Sequence, residues 1–275
     1  IGKPDSWLDP SYLGTLLETH GVNSLWGVPS PFALLMDGAG GVLPASLTDL
    51  HFSGEALPPQ LVRRIFKNKH VELFNPYGPA EVTINSHAHT VETNDTTSAS
   101  VPIGVALPNT TGYLLDEHRM AVPVGVAGEL YLGGRKVTRG YIGRDDLTHQ
   151  SIMGVASLSD GGERLYKTGD RVRWLVDGAL DFLGRVDFQI KLNGQRIETG
   201  EIESVLRGVH GVNDTLVVLQ GGGPSAQPAR LVAYVLPMDA HEAGARQACN
   251  ASLPKYMAPS AYVSLAAWPL NTSGK

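Results

Sequence analysis

Cysteine, charge and long apolar runs are all scarce in this sequence. Its 275 residues include one cysteine, Cys249, which excludes an internal disulfide framework and any zinc site built on cysteine pairs. Charged residues make up 18% of the chain and hydrophobic residues 42%, a balance that predicts a folded, globular protein. Twenty-two basic and 27 acidic residues leave a net charge of −5, so no basic surface for a nucleic-acid backbone is expected.

Signals for membranes and export are also missing. No apolar run approaches the roughly 20 residues that a membrane helix needs, and the first residues lack the charged-then-apolar pattern of a signal peptide. Together with the single cysteine, this predicts a cytoplasmic protein with no membrane and no nucleic acid among its partners. The chain begins with Ile1 rather than methionine and stops at Lys275, so we interpret it as a piece of a longer protein.

Familiar catalytic signatures are absent as well. The chain has no G-x-S-x-G elbow, no G-x-x-x-x-G-K-S/T phosphate loop and no H-E-x-x-H pair. His87 and His89 stand two residues apart and could face one metal ion, but on a strand after a polar loop we interpret them as bystanders. Cys249 lies on a predicted helix and is interpreted as a small core residue.

The first part of the chain alternates between helix and strand signals. Apolar residues at helical spacing predict a helix over Pro10–His20, and Pro58 and Pro59 open a second helix. Short apolar runs at 25–28 and 50–52 predict strands. This alternation predicts an α/β layer over residues 1–101 with a mostly parallel sheet, in which ligands gather at the carboxyl ends of the strands.

Residues 102–184 consist of short apolar runs separated by glycine and proline. Such runs are typical of antiparallel strands, and they lie at Thr111–Leu115, Glu129–Leu132, Arg171–Val176 and Leu180–Leu183. The polar, glycine-bearing segment Ser151–Glu163 is predicted to be an exposed loop. We therefore expect a small antiparallel β subdomain here.

The remaining residues predict a small α+β domain of about 90 residues. Apolar and polar residues alternate strictly from Val186 to Leu192, as in a half-buried strand, and Asn193-Gly194 is a preferred pair for a hairpin turn. Helical spacing from Ile202, strands at 215–219 and 231–236 and a helix at 242–253 follow. The domain boundary is therefore placed at Gly184, which gives domains 1–184 and 185–275.

Four dense segments carry glycine, acidic residues and tyrosine: Asn75–Glu81, Gly128–Gly134, Tyr166–Asp170 and Gly184–Glu203. With Leu253–Pro259 and Ser273–Lys275 they make six motifs in order along the chain. Their order and spacing resemble the core motifs of the adenylation domains of nonribosomal peptide synthetases, which are members of the adenylate-forming superfamily. The resemblance covers nearly the whole chain. It implies an α/β fold: the second part of a large adenylate-forming domain with a small β-barrel-like subdomain, followed by a small mobile C-terminal domain.

The resemblance also implies an activity. Such domains activate an amino acid with ATP and Mg²⁺ as aminoacyl-AMP, release pyrophosphate, and transfer the aminoacyl group to a phosphopantetheine thiol. The implied partners are therefore an amino-acid substrate, a peptidyl carrier domain and the neighbouring synthetase domains. The chemistry requires the carboxylate to be held in line with the α-phosphate while the growing negative charge is neutralised.

Residue roles are carried over from the matching motif positions. Tyr77, followed by Gly78, matches the tyrosine that packs on adenine, and Glu81 matches a glutamate that helps to bind Mg²⁺. Asp170 matches the aspartate that accepts hydrogen bonds from the ribose hydroxyls. Arg185 matches an arginine that reaches the nucleotide.

The small domain carries further implied roles. Lys275 matches the catalytic lysine that contacts the substrate carboxylate and phosphate oxygens, and Asp187 matches the hinge about which the small domain swings. Gly194 matches the loop that approaches the carrier thiol in the thioester stage. The implied side-chain pocket is lined by Gly27, His51, Ser53, Pro76, Ile84 and Asn85. The polar groups among these residues favour a polar amino-acid substrate.

The chain departs from the family pattern in two places. Ala80 stands where the family usually has threonine, and the loss of one neutral hydrogen bond costs about 0.5 to 1.5 kcal/mol, which weakens ATP handling without abolishing it. The family's phosphate loop and the aspartate that grips the substrate amino group have no match and belong upstream of Ile1. We therefore expect the 275-residue chain alone to be inactive.

Two other interpretations stay open. An acyl- or aryl-CoA ligase of the same superfamily shares the ATP chemistry, although Gln189 and the Arg196–Glu198 segment are more similar to the peptide synthetase branch. A non-catalytic, truncated remnant is the other, favoured by Ala80 and the missing upstream motifs. Sequence upstream of Ile1 and downstream of Lys275 distinguishes these alternatives.

Overall fold

The structure is a computed structural model that describes residues 9–38, 42–68, 71–154, 163–187, 189–221, 229–237 and 242–269. The chain divides into two compact units, Ile1–Asp187 and Phe188–Lys275. The sequence analysis places the domain boundary at Gly184. Within the described ranges, none of the helices has the length and apolar character that crossing a bilayer requires.

The first unit begins with helices and a five-stranded sheet. The helices are α1 (Pro10–Thr19), α2 (Pro29–Gly38) and α3 (Pro59–Asn68), and the strands are β1 (Ser24–Gly27), β2 (Asp49–Phe52), β3 (Glu72–Tyr77), β4 (His87–Thr90) and β5 (Val105–Ala106). Strands β1, β2 and β3 are parallel, whereas β4 and β5 add to them antiparallel. Helix α2 is not among the predicted elements. It begins at Pro29. Proline is tolerated there because the first N–H groups of a helix have no hydrogen-bond acceptor within the helix.

One face of this sheet packs against the three helices and forms a hydrophobic core. Along β2 burial alternates, so that Leu50 and Phe52 are buried among residues of all three helices while Asp49 and His51 lie on the other face. The period of two follows from the alternation of side chains along a strand. The second face therefore carries the polar and aromatic residues that the core does not use.

A second, antiparallel sheet follows. Its strands are β6 (Thr110–Leu115), β7 (Ala127–Gly134), β8 (Ile152–Gly154), β9 (Arg164–Trp174) and β10 (Leu180–Arg185), and helix α4 (Asp145–Ser151) precedes β8. The order is β10-β9-β7-β6, with β8 also paired to β9. The expectation of an exposed loop over Ser151–Glu163 is wrong at its start, because Ile152–Gly154 pairs with β9. Residues 155–162 lie outside the described ranges.

The two sheets approach each other at Gly104. This residue has φ +80° and bridges to Leu180 in β10. A Cβ atom at Gly104 would lie 1.9 Å from the carbonyl oxygen of Ala88 in β4. Only glycine accommodates both the positive φ and this contact.

The second unit contains a hairpin, two helices and a three-stranded sheet. Its elements are β11 (Gln189–Leu192), β12 (Gln195–Glu198), α5 (Thr199–Arg207), β13 (Asp214–Gln220), β14 (Arg230–Leu236), α6 (Glu242–Ser252) and β15 (Ala261–Ser264). Strand β14 pairs antiparallel with β13 and parallel with β15. Cys249 is fully buried among Ile202, Leu206 and their neighbours, which confirms its interpretation as a core residue.

The hairpin corrects one prediction and confirms another. Strand β11 begins at Gln189 rather than Val186, which is 53% exposed and whose N–H donates to Gly169 O at 2.9 Å. Gln189 is a buried polar residue, and its amide donates a hydrogen bond to the Glu198 carboxylate, which offsets the cost of burying it. The turn after Leu192 has positive φ at both Asn193 (51°) and Gly194 (76°), as a two-residue hairpin requires.

Candidate active site

Three residues of the predicted nucleotide site meet where β3, β9 and β10 end or bend. Tyr77 Oη donates a hydrogen bond to one carboxylate oxygen of Asp170, and Arg185 Nη1 donates to the other at 2.7 Å. The side chains of Asp170 and Arg185 are only 4% and 12% exposed. We call Tyr77, Asp170 and Arg185 the carboxylate cluster. Each carboxylate oxygen has a second lone pair, so Asp170 keeps capacity to accept further hydrogen bonds.

An irregularity in β9 at Thr168–Asp170, where its pairing with β7 shifts register, holds this carboxylate. Thr168 Oγ1 donates to Leu130 O at 2.7 Å in β7 and accepts from Asp170 N at 2.9 Å. Gly169 has φ +73°, and a Cβ atom there would lie 2.5 Å from Arg185 Nη2. In this segment Thr168 binds the neighbouring strand, Gly169 adopts the positive φ, and Asp170 supplies the carboxylate.

Burial sets the protonation of the tyrosine in the cluster. The pKa of Tyr77 is raised well above 10.0, first by burial and then by the Asp170 charge. Tyr77 therefore stays protonated and remains a donor to Asp170. An aromatic ring fixed by its own hydroxyl is a preorganised surface for a planar base.

Arg185 also binds the predicted hinge residue. Its Nε and Nη2 atoms donate to the two oxygens of Asp187 at 2.6 and 2.6 Å, a bidentate pair. Asp187 is 46% exposed and is the last residue of the first unit. Lys275, the predicted catalytic lysine, lies outside the described residues.

The segment after Tyr77 folds back on β3. Ser86 N donates to Tyr77 O at 2.8 Å, and a Cβ atom at Gly78 would lie 2.4 Å from Ile84 O. Thr83 and Ile84 have φ 53° and 68°, in the left-handed region that β-branched residues rarely adopt. Such strain persists only where surrounding contacts impose it, and it is concentrated at functional sites.

Glu81 lies within this segment and is 9% exposed. Tyr141 Oη donates to Glu81 Oε1 at 2.7 Å, and Thr138 N donates to Glu81 O at 2.8 Å. A carboxylate oxygen suits Mg²⁺, which usually takes one or two carboxylates together with substrate phosphates. In the part of the chain that the structure describes, no three His, Cys, Asp or Glu residues gather as a metal site. The single carboxylate of Glu81 fits a metal held mainly by phosphates. Ala80, beside it, is exposed and has no hydroxyl to offer.

The predicted pocket residues lie on neighbouring elements. Gly27 ends β1 and Pro76 precedes the last residue of β3, while Ser53, directly after β2, donates its N–H to Gly27 O at 3.1 Å. Ile84 is 70% exposed. Asn85 Oδ1 is buried and has no hydrogen-bond partner among the described residues. The structure therefore brings these positions to one edge of the first sheet.

The His51 ring is stacked between two aromatic rings, those of Trp26 and Phe74. It stacks on Trp26 at 3.9 Å and 7° and on Phe74 at 4.7 Å and 13°, while its Nε2 lies 3.3 Å from Asp49 Oδ1. The three rings share one register across β1, β2 and β3. Sequence reasoning misses Trp26 and Phe74, because their alignment with His51 depends on strand register.

Two other residues missed by sequence reasoning contact the Glu81–Asn85 segment. Lys136 Nζ donates to Asn85 O at 3.0 Å, and Tyr141 binds Glu81. These contacts join positions 51 and 60 residues apart. A tyrosine next to Gly140, soon after the Gly133-Gly134 motif, is the only sequence signal near them.

His87 and His89 have separate protein partners. His87 is fully buried, with Nδ1 at 3.0 Å from Ser86 Oγ, and its ring centroid lies 6.2 Å from that of Tyr77 in an edge-to-face arrangement. His89 Nε2 lies 2.9 Å from Asp95 Oδ2. Each histidine thus has its own partner.

We expect His87 to make the stability of the chain depend on pH. Burial, assisted by the Lys136 ammonium, lowers the pKa of His87 from 6.5 to about 4. Between these values the unfolded chain binds the proton and the folded chain does not, so stability falls as pH decreases. The loss is about 3 kcal/mol in all. Urea unfolding of wild type and His87→Asn between about pH 7 and pH 4 measures it. Equal pH slopes for the two proteins would contradict the assignment to His87.

Comparison with known protein sequences relates the chain to one family. The sequence model described as "AMP-binding enzyme" matches residues 1–142. Phosphinothricin tripeptide synthetase PhsB from Streptomyces viridochromogenes is 44% identical over 100% of the chain, and tyrocidine synthase 3 from Brevibacillus parabrevis is 38% identical over 100%. The chain spans 23% and 4% of these two relatives, a small part of their length.

Solved structures share the fold. The structure of holo-PA1221, described as an NRPS protein containing adenylation and PCP domains bound to a vinylsulfonamide inhibitor, matches with a TM-score of 0.85 and 32% identity, over 97% of this chain and 45% of that chain. PA1221, described as containing the same two domains, matches with a TM-score of 0.81 and 30% identity, over 96% and 52%.

The chain therefore belongs to the AMP-binding enzyme family, the adenylate-forming ligases. Within that family it is an adenylation-domain sequence of the nonribosomal peptide synthetase type, as its relatives and structural neighbours show. The predicted family and α/β fold class are confirmed. The assignment of the C-terminal part as the small, mobile domain of this family stays a prediction.

Proposed function

We propose that the protein containing this chain activates an amino acid with ATP as aminoacyl-AMP, releases pyrophosphate, and passes the aminoacyl group to a carrier-domain phosphopantetheine thiol. The observation that carries this proposal is the carboxylate cluster, in which Tyr77 and Arg185 hold Asp170 in a buried, ionic arrangement. Its order along the chain matches the adenylation motifs, and the family membership supports ATP as the cosubstrate.

The cluster and the neighbouring acid suit different parts of the nucleotide. Asp170 accepts hydrogen bonds, which fits ribose hydroxyls, and the fixed ring of Tyr77 fits the adenine face. Glu81 would hold Mg²⁺ beside the phosphates, where a bound metal neutralises the charge that develops during adenylyl transfer. The chain's own contribution is to fix these groups before ATP arrives, because preorganised dipoles need no rearrangement during reaction.

A polar amino acid is the proposed substrate class. Asn85 Oδ1 is buried without a partner among the described residues, and His51 is held flat between aromatic rings beside Asp49. A site with an unpaired polar atom favours a ligand group that pairs with it and rejects an apolar analogue. The carrier-domain partner is proposed from the PA1221 structures, which contain adenylation and PCP domains.

Pyrophosphate exchange by the parent protein against a panel of amino acids tests the proposal. We expect exchange with one or a few polar amino acids and loading of a phosphopantetheine-bearing carrier domain. Turnover of fatty or aryl acids with coenzyme A, and of no amino acid, would establish the CoA-ligase alternative instead. Absence of exchange with any acid would favour a non-catalytic protein. The 275-residue chain alone is expected to show no exchange.

A further inference from the structure

The segment Lys136–Tyr141, which we call the strap, is bonded to both ends of the segment Glu81–Asn85, which we call the acid loop. At the Glu81 end, Tyr141 Oη donates to Glu81 Oε1 at 2.7 Å. At the other end, Lys136 Nζ donates to Asn85 O at 3.0 Å. The strap thus reaches the predicted metal ligand and the predicted pocket at once.

Backbone contacts tie the two segments together between these ends. Thr138 N donates to Glu81 O at 2.8 Å, and Thr83 Oγ1 donates to Lys136 O at 2.9 Å. The acid loop contains Thr83 and Ile84 in left-handed conformations, which need surrounding contacts to persist. The strap supplies such contacts on both sides of the strained pair.

The strap is itself held by the second sheet and its neighbouring helix. Arg164, at the start of β9, donates through Nη2 to Thr138 O at 2.9 Å and to Arg139 O at 2.7 Å. Thr148 in α4 accepts from Tyr141 N at 2.9 Å through its Oγ1. Because the strap is fixed at these points, its side chains have defined positions relative to the acid loop.

We infer that the strap is a positioning element that affects two binding events separately, that of ATP with Mg²⁺ and that of the amino acid. Tyr141 orients the carboxylate of Glu81 for Mg²⁺ and ATP, whereas Lys136 fixes the Asn85 end of the pocket that recognises the amino-acid side chain. This inference rests on the proposed function of the site. Tyr141 and Lys136 are positioning residues, because each acts through a residue of the acid loop.

Equilibrium binding measurements separate the effect of the strap on ATP binding from its effect on amino-acid binding. In the parent protein, Tyr141→Phe removes one hydroxyl and Lys136→Met removes one ammonium group. Isothermal titration calorimetry measures the Kd of ATP with Mg²⁺, of ATP with EDTA, and of the amino acid that supports the fastest pyrophosphate exchange. Arg135→Met removes the neighbouring, exposed cation and serves as the matched control.

Each variant should weaken one ligand. Tyr141→Phe should raise the Kd of ATP with Mg²⁺ about three- to tenfold, as expected for one lost hydrogen bond, with ATP in EDTA and the amino acid unchanged. Lys136→Met should raise the Kd of the amino acid by about the same factor and leave ATP unchanged, and Lys136→Arg should restore part of the loss. Arg135→Met should leave every Kd unchanged.

Other outcomes overturn the inference. Equal weakening of both ligands by both variants, or a lower melting temperature with unchanged Kd values, would show that the strap has only a structural role. If the wild-type protein activates no amino acid, the proposed function fails. The Mg²⁺-dependent binding of ATP to Tyr141→Phe still decides the role of Tyr141 in that case.

Discussion

Replacing Asp170 with alanine should destabilise the first unit and abolish most nucleotide binding. The substitution leaves the buried Arg185 guanidinium and the Tyr77 hydroxyl without their shared acceptor. Removing one partner of a buried pair typically costs 3 to 5 kcal/mol, and since Arg185 retains Asp187 we expect a loss of about 3 kcal/mol. ATP affinity should fall about a hundredfold, because a charged hydrogen-bond acceptor is lost.

Urea unfolding of the 275-residue chain, followed by tryptophan fluorescence, measures the stability change, and calorimetry on the parent protein measures ATP binding. The matched control is Asp146→Ala. Asp146 pairs with Arg144, but both side chains are more than half exposed, at 57% and 56%, so its removal should leave the urea midpoint unchanged. If Asp170→Ala unfolds at the wild-type urea concentration and binds ATP normally, the carboxylate cluster is not the nucleotide site.

Replacing Gly78 with alanine should displace the acid loop. The added Cβ atom would lie 2.4 Å from Ile84 O and 2.7 Å from Ser86 N, and both are backbone atoms that cannot rotate away. Relief requires movement of the segment that carries Ile84 and Asn85, at a cost of about 3 kcal/mol. Amino-acid affinity should therefore fall together with stability. Urea unfolding and calorimetry of the variant measure both effects.

Gly14→Ala is the control for the same chemical change. Gly14 lies in helix α1, and nothing stands within 4 Å of the Cβ atom that alanine would add. Alanine there should raise stability by about 0.5 to 1 kcal/mol, since glycine is unfavourable in a helix interior. A Gly78→Ala protein with normal stability and substrate affinity would mean that the acid loop tolerates displacement.

Short-range features of the site can be predicted from sequence. The Asn193-Gly194 hairpin turn depends on two residues that lie next to each other, and both have a positive φ. Helix α3 follows from apolar spacing after Pro59. In such cases the local chain contains the whole physical cause.

Contacts between distant segments could not be predicted in the same way. Tyr141 and Glu81 are 60 residues apart, and the Trp26–His51–Phe74 stack depends on the register of three strands. The strand expected from Val186 begins at Gln189, because Val186 N instead donates to Gly169 O in β9. Alternation of apolar residues predicts that a strand has one buried face. Which segment packs against that face depends on the tertiary structure.

The spacing of the carboxylate cluster along the chain has a consequence for biosynthesis. Tyr77 is made 93 residues before Asp170, and Arg185 comes 15 residues after it. Long-range contacts of this kind form only after the intervening chain is available. A ligand stabilises only the state that binds it, so on the proposed assignment ATP cannot assist the first sheet while it folds on the ribosome. On this assignment the carboxylate cluster is complete only after Arg185 has been synthesised.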